Sequence, residues 1–342
     1  MDFGMFTDFH IRQNMTQAEA FEESFQQVEA AEKLGMDAVW LAEHHFSPNR
    51  SVLASPLVIA SAIAARTSRI RIGLAVQVLP LTNPLRIAEE AATVDHISKG
   101  RFNFGIGRSG LTKYYQGYNV PYAESRGRFL EALDVILKAW KQEQFSHEGA
   151  YFAFQDVTVV PKPLQQPYPP IRVALASPDT FSLIGRMGHP VFISANTPIP
   201  QLQERLELYG KARQEAGHSG PADIALRIPA YVAETAERAR AEPEASTMHA
   251  IQYGAQELSG SAASEETAER LQRMATIPYD DILKRRLIYG TPEAVIDRLQ
   301  EYREELGISS VVLEMNYGGQ IPYDRVINSI RLLTEKVVPK FK

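Results

Sequence analysis

The sequence contains no cysteine, which excludes disulfides, thiolate metal sites and a cysteine nucleophile outright. It also lacks an excess of either charge: 36 Lys and Arg stand against 41 Asp and Glu, for a net charge of −5. The two signs are interspersed, so there is no basic stripe for nucleic acid and no block that reads as a charged tail. No apolar run reaches the roughly 18 residues that a membrane span requires. The opening MDFGMFTDF reads as a strand and lacks the charged-then-apolar layout of a secretory signal. H-E-x-x-H, H-x-H on the first strand and G-x-S-x-G are all missing, which removes the zinc-hydrolase and serine-hydrolase signatures. The expectation is a cytoplasmic enzyme or binding protein with no metal site.

What is present is a regular alternation. The chain has 342 residues, 44% of them hydrophobic, enough for one (β/α)8 barrel with insertions. Apolar strands are expected at 2–7, 36–42, 69–79, 101–107, 171–176, 190–195, 223–234 and 309–315. Between them, TQAE at 16–19 forms a capping box in which Thr16 and Glu19 satisfy each other's amides. Phe21, Phe25, Val28 and Ala31 follow at helical spacing, and Gly35 stops the helix. Ser55-Pro56, Asn83-Pro84, Ser177-Pro178 and Thr291-Pro292 each place a capping residue before a proline, which suits the first helical position because that amide would be unpaired anyway. Further helices are expected over 124–143, 200–216 and 324–338. Eight strands alternating with eight helices favour a closed parallel barrel, an α/β TIM barrel in a single domain over 1–342. Two stretches break the rhythm. Residues 144–170 read as a hairpin and proline-rich connector. Residues 236–290 form an insertion after strand 7, far longer than an ordinary connection and read as a helical lid over the C-terminal face.

Several stretches carry candidate chemistry. GIGRSG at 105–110 matches G-x-G-x-x-G, but a Rossmann turn requires a helix to open at its last glycine, and none is expected for more than ten residues. The glycines can still let backbone approach a ligand, with Arg108 as a cation beside it. LASPDT at 175–180 places Ser177 and Thr180 at a helix N-terminus, where free amides, dipole and hydroxyls make a phosphate cradle; Arg108 and Arg126 are the cations expected opposite. Glu43-His44-His45 invites a metal, yet adjacent strand residues point to opposite sides, and neither His10 nor His96 lies at a ligand spacing to them. Phe6, Phe9, Trp40, Phe46, Phe102 and Phe104 are expected mostly in the core or lining of the barrel.

Three segments together resemble the bacterial luciferase-like flavin-dependent monooxygenases: WLAEHHF (40–46), the run from Leu74 to Gly110 ending SKGRFNFGIGRSG, and YGTPEAVIDRLQEYREELGISSVVLEMN (289–316). The resemblance implies that His44 is the active-site histidine near the flavin's reactive edge, with Glu43 and His45 as supporting neighbours. It implies that Arg108, Arg126, Ser177 and Thr180 hold the flavin phosphate. Ala75 and Val76 correspond to a strand-3 bulge, often with a cis peptide, that props the ring. Ala176 stands where the luciferases carry an acidic residue, and Asn83 where they carry a histidine, so light emission is not implied. The implied reaction is that of a two-component monooxygenase. Reduced FMN arrives from a separate reductase, reacts with oxygen to give a flavin hydroperoxide, and an apolar aldehyde or ketone is oxygenated. A homodimer, or a heterodimer with a related chain, goes with that reading. Deazaflavin-dependent dehydrogenases and flavin-binding partner subunits share the same barrel and form the alternatives.

Overall fold

The computed structural model describes residues 1–175, 177–259 and 275–342. Eight parallel strands close on themselves: β1 (Asp2–Thr7), β2 (Ala38–Leu41), β3 (Arg71–Leu74), β4 (Phe102–Gly107), β5 (Ile171–Ala174), β6 (Val191–Ser194), β7 (Ile224–Val232) and β8 (Ser310–Glu314). Closure is made by β8 against β1, with Phe6 in register with Glu314. The eight-stranded (β/α)8 barrel expected from the alternation is therefore the fold.

Helices α1 (Gln17–Leu34), α2 (Pro56–Arg66) and α3 (Pro84–Ile97) follow the first three strands. The capping box of α1 forms: the Thr16 amide donates to Glu19 Oε2 at 2.8 Å and the Glu19 amide to Thr16 Oγ1 at 3.2 Å. Of the four capping residues that precede proline, Asn83 and Thr291 accept from their helices, whereas Ser55 and Ser177 make no such bond. The Ser177 hydroxyl is thereby left for other work. Further helices are α4 (Thr112–Gly117), α5 (Ser125–Lys141), α6 (Pro178–Met187), α7 (Ile199–Glu215), α8 (Ala236–Ala241), α9 (Glu244–Ser259), α10 (Tyr279–Arg286), α11 (Pro292–Leu306) and α12 (Tyr323–Leu332). Among the described residues, no helix is long and apolar enough to cross a membrane.

Four expectations need correction. Helix α4 begins two residues after Gly110, where none was expected for ten, because Tyr114 and Tyr115 bury completely beneath the turn. Strand 3 does not run unbroken over 69–79: β3 stops at Leu74, the Ala75–Val76 peptide is cis where the resemblance implied a bulge, and pairing with β4 resumes at Gln77–Val78. The insertion over 236–290 is not all helix, since Ile288–Gly290 pairs in parallel with Ala230–Val232 of β7. Phe46 is outside the core, 55% exposed and left-handed at φ 55°, with Gly117 packed so closely against its ring that a Cβ there would lie 2.1 Å from it. The hairpin in 144–170 is present as Phe145–Glu148 against Ala153–Val157.

The barrel has an outer core, between strands and helices, and a smaller inner one built from Phe6, Trp40, Phe192, Ala225 and Val312. Trp40 fills the centre at the expense of Gly73, whose Cβ would come within 2.2 Å of the indole. That plug closes the barrel below the C-terminal mouth, and the remaining space lies above it.

Candidate active site

A cavity of about 460 Å³ opens at the C-terminal mouth, the face on which this architecture carries its sites. Glu43, His44, Ala75, Val76, Arg108, Ser177 and Thr180 all line it. Arg126, in the first turn of α5, lines a smaller recess that shares Arg108 and Thr180 with it. Ala176 lies outside the described residues. His45 faces the other way, into a recess behind β2 and β3.

One wall is made of small side chains: Ala42, Ala75, Gly107 and Ala174. A Cβ on Gly107 would sit 2.6 Å from Val76 Cγ2, so only glycine lets the cis segment lie flat against β4. Glu43 holds that segment from the neighbouring strand. Its Oε2 accepts from the Val78 amide at 2.8 Å and from Gln77 Nε2 at 2.7 Å, while Oε1 faces His45 Nε2 at 2.8 Å. Burial raises the Glu43 pKa.

The two histidines sit in parallel, oppositely directed networks. His44 Nε2 lies 3.1 Å from Asp8 Oδ1 and Nδ1 lies 2.8 Å from the Tyr114 hydroxyl. Asp8 is fully buried, yet its pKa is held well below the usual carboxylate value by His44 and Arg50, which overcome its desolvation. A carboxylate can only accept, so Nε2 of His44 donates to it and the neutral ring's Nδ1 accepts from Tyr114. Burial, aided by the Arg50 charge, lowers the His44 pKa to about 4. His45 is placed likewise between Glu43 and the Tyr118 hydroxyl, 3.1 Å from its Nδ1.

At the other end, Ser177 and Thr180 open α6. Their hydroxyls are 3.3 Å apart, and the Thr180 hydroxyl also donates to the Ser177 carbonyl at 2.5 Å. Arg108 Nη1 donates to Ser125 Oγ at 3.3 Å, and Tyr115 anchors the Arg108 carbonyl from α4. Two hydroxyls, a helix N-terminus of ten residues and a guanidinium beside them are the donor set that a phosphate group takes.

Sequence reasoning missed several members. Asp8, Arg50, Tyr114, Arg227 and Glu314 all belong to this region, and the signals for them were weak: Arg227 is a lone charge in an apolar strand, and Asp8 follows the end of one. Asp8, His10 and Glu314 approach closely enough for their ligand atoms to lie within 4.8 Å of one another. Cations already answer both carboxylates: Arg50 bonds Asp8 at 3.1 Å and Arg227 bonds Glu314 at 2.8 Å. His96 is remote, bonded to the Lys162 carbonyl on the outer surface.

The family model described as luciferase-like monooxygenase matches residues 1–310. The oxygenase component of the flavin-dependent trigonelline monooxygenase of Acinetobacter baylyi is 27% identical over 353 residues, covering 100% of this chain and 96% of that one. Limonene 1,2-monooxygenase of Rhodococcus erythropolis is 28% identical over 346 residues, with 100% and 87% covered. Among solved structures, the monooxygenase RslO1 of Streptomyces bottropensis superposes with a TM-score of 0.84 at 28% identity, both chains being covered in full.

Proposed function

The chain belongs to the luciferase-like monooxygenase family, and from that premise we propose that it is the oxygenase of a two-component system, taking reduced FMN from a separate reductase to oxygenate a small, largely apolar molecule. The observation that supports FMN is the continuity of one cavity. A phosphate cradle at Arg108, Ser177 and Thr180 opens into a slot walled by Ala42, Ala75, Gly107 and Ala174, with His44 at its far side. A Cβ at Gly107 would obstruct the slot wall, and the wall's small side chains leave room for a flat ring. Reduced flavin, when bound there, supplies the electrons that activate molecular oxygen for insertion into the substrate.

The chain's own share is positioning, exclusion of water and management of one proton. A neutral His44 can accept a proton at Nδ1 at neutral pH, and the Asp8 carboxylate at Nε2 balances the charge that results. The Tyr114 hydroxyl donates to His44 Nδ1, and both residues line the cavity, so the pair can pass one proton between them. Glu43 and His45 act by holding the cis segment and the loop. Helix α9 is proposed as the lid, since its Glu257 accepts from Ser47 Oγ at 2.6 Å and from Lys113, the neighbour of the cavity-lining Tyr114.

The test adds purified reductase, NADH and FMN and screens aldehydes and ketones for oxygen-dependent product. His44→Ala should leave FMN binding intact while product formation falls by about tenfold or more. Arg108→Ala should weaken binding of FMN but spare riboflavin, which has no phosphate; equal losses would remove the cradle. Oxygen-independent hydride transfer to a deazaflavin, without FMN turnover, would assign the barrel to the dehydrogenase alternative. Sedimentation of the purified chain decides between monomer and the dimer that goes with this reading.

A further inference from the structure

The cavity carries a further arrangement, outside the residues assigned to the phosphate cradle and the slot of small side chains. Strands β6, β7 and β8 bring Ser194, Arg227 and Val312 into register side by side, all lining the cavity with Phe6. Arg227 is the one charged residue in the nine-residue strand IALRIPAYV. Its guanidinium stacks 3.7 Å over the Phe6 ring and donates from Nη2 to Glu314 Oε2 at 2.8 Å. A guanidinium carries five N–H donors, and among the described residues Glu314 is its one hydrogen-bond partner. The Arg227 side chain keeps 31% exposure on an inner barrel strand, against 4% for Glu314. Ser194 Oγ accepts from the Asn196 amide at 3.3 Å, which leaves its own O–H to donate.

Two donors therefore look into a space otherwise bounded by Phe6, Phe192, Ile193 and Val312. Their charge environment narrows what they suit. Glu314 already answers Arg227, and Asp8 answers Arg50, so a second carboxylate arriving here would find no unmatched cation. A neutral oxygen acceptor needs only the donors. A hydrocarbon would leave both donors desolvated and unpaired, which disfavours it.

We propose that Arg227 and Ser194 form a subsite for the carbonyl oxygen of a neutral substrate, so that the chain selects a carbonyl compound over the matching hydrocarbon or acid. The proposal rests on the flavin occupying the slot of small side chains, which leaves this wall to the substrate.

The test measures dissociation constants by calorimetry and ligand-observed NMR for three probes of one skeleton: acetophenone, ethylbenzene and benzoate. Each is titrated into the protein loaded with oxidised FMN and into the FMN-free protein, where no turnover occurs. Acetophenone should bind about tenfold tighter than ethylbenzene and tighter than benzoate. Arg227→Met should bring acetophenone and ethylbenzene to within about twofold of each other, with FMN and ethylbenzene affinities held. Because that change strands a buried Glu314, the pair R227M/E314Q provides the same reading if the single variant does not fold. A ketone preference that survives both variants, a wild type indifferent to the carbonyl, or tighter binding of benzoate would overturn the subsite. Failure to load FMN would instead count against the flavin reading, and the probe series on the FMN-free protein would still decide the role of Arg227.

Discussion

Adjacent histidines in an extended segment project to opposite sides, and here each meets a carboxylate and a tyrosine hydroxyl on its own side. His44 turns inward to Asp8 and Tyr114, His45 outward to Glu43 and Tyr118. Glu43 is the structural member of the group, since its two oxygens satisfy a backbone amide, an amide side chain and an imidazole in a buried place. Glu43→Ala leaves those donors unpaired and should cost about 2–4 kcal/mol of stability, read from urea denaturation. Tyr114→Phe keeps the ring but removes the hydroxyl that bonds His44 Nδ1. Product formation should fall by about tenfold or more with FMN affinity unchanged. Unaltered turnover would mean that His44 Nδ1 serves the reacting atoms directly.

At the scale of elements, α9 ties the loop after β8 to the segment that follows β2. Ser246 Oγ donates to the Tyr317 carbonyl at 2.7 Å and accepts from the Gln320 amide at 2.9 Å. Gly318, at φ 89°, brings its backbone so close that a Cβ would lie 1.9 Å from the Ser246 carbonyl oxygen. At the other end of the helix Glu257 meets Ser47, Lys113 and, at 3.6 Å, Arg50. Arg50 in turn holds Asp8, so the fastening of α9 and the orientation of His44 share one guanidinium. Glu257→Ala should speed proteolysis within 244–259 and raise hydrogen peroxide released per product several-fold, an estimate that follows from loss of water exclusion. Peroxide yield and proteolysis that both match wild type would deny α9 the role of lid.

Across the whole molecule, burial of neutral histidines sets an acid limit. His44 and His189 are both lowered to about 4, chiefly by desolvation, against an ordinary value of 6.5. The unfolded chain therefore binds more protons than the folded one between those values, and stability rises with pH through that window. Tm should be level above about pH 6.5 and fall progressively toward pH 4, and H189Q should flatten part of that slope. A Tm unchanged across the interval would refute the buried neutral state. The barrel itself imposes the other global feature, a mouth with one half small and one half polar. That division follows from which strand contributes which inward residue: Gly107 and Ala174 from β4 and β5, Ser194 and Arg227 from β6 and β7.

Much of this was legible in the chain alone. Strand and helix positions follow from apolar alternation and from proline at helix starts, which are local effects and survive into the fold. Ser177 and Thr180 were placed at the mouth for the same reason, because a helix N-terminus is a property of a short segment, and Arg108 because it directly follows an apolar strand. The break in strand 3, at Ala75–Val76, was legible only through the resemblance; from the pattern of its run it was not legible, since Glu43 beyond the neighbouring strand holds it by accepting from the Val78 amide. Nor were the partners of His44, which come from 36 residues before it and 70 after it. Arg227 and Glu314 are 87 residues apart and meet because β7 and β8 pair in one register. The sequence by itself determined the elements, their order and the turn that brings Ser177 and Thr180 to the start of α6, because short-range sterics and capping specify these. Only the tertiary structure decided which charges face one another across the mouth, because closing the barrel chooses the neighbours of every inward side chain.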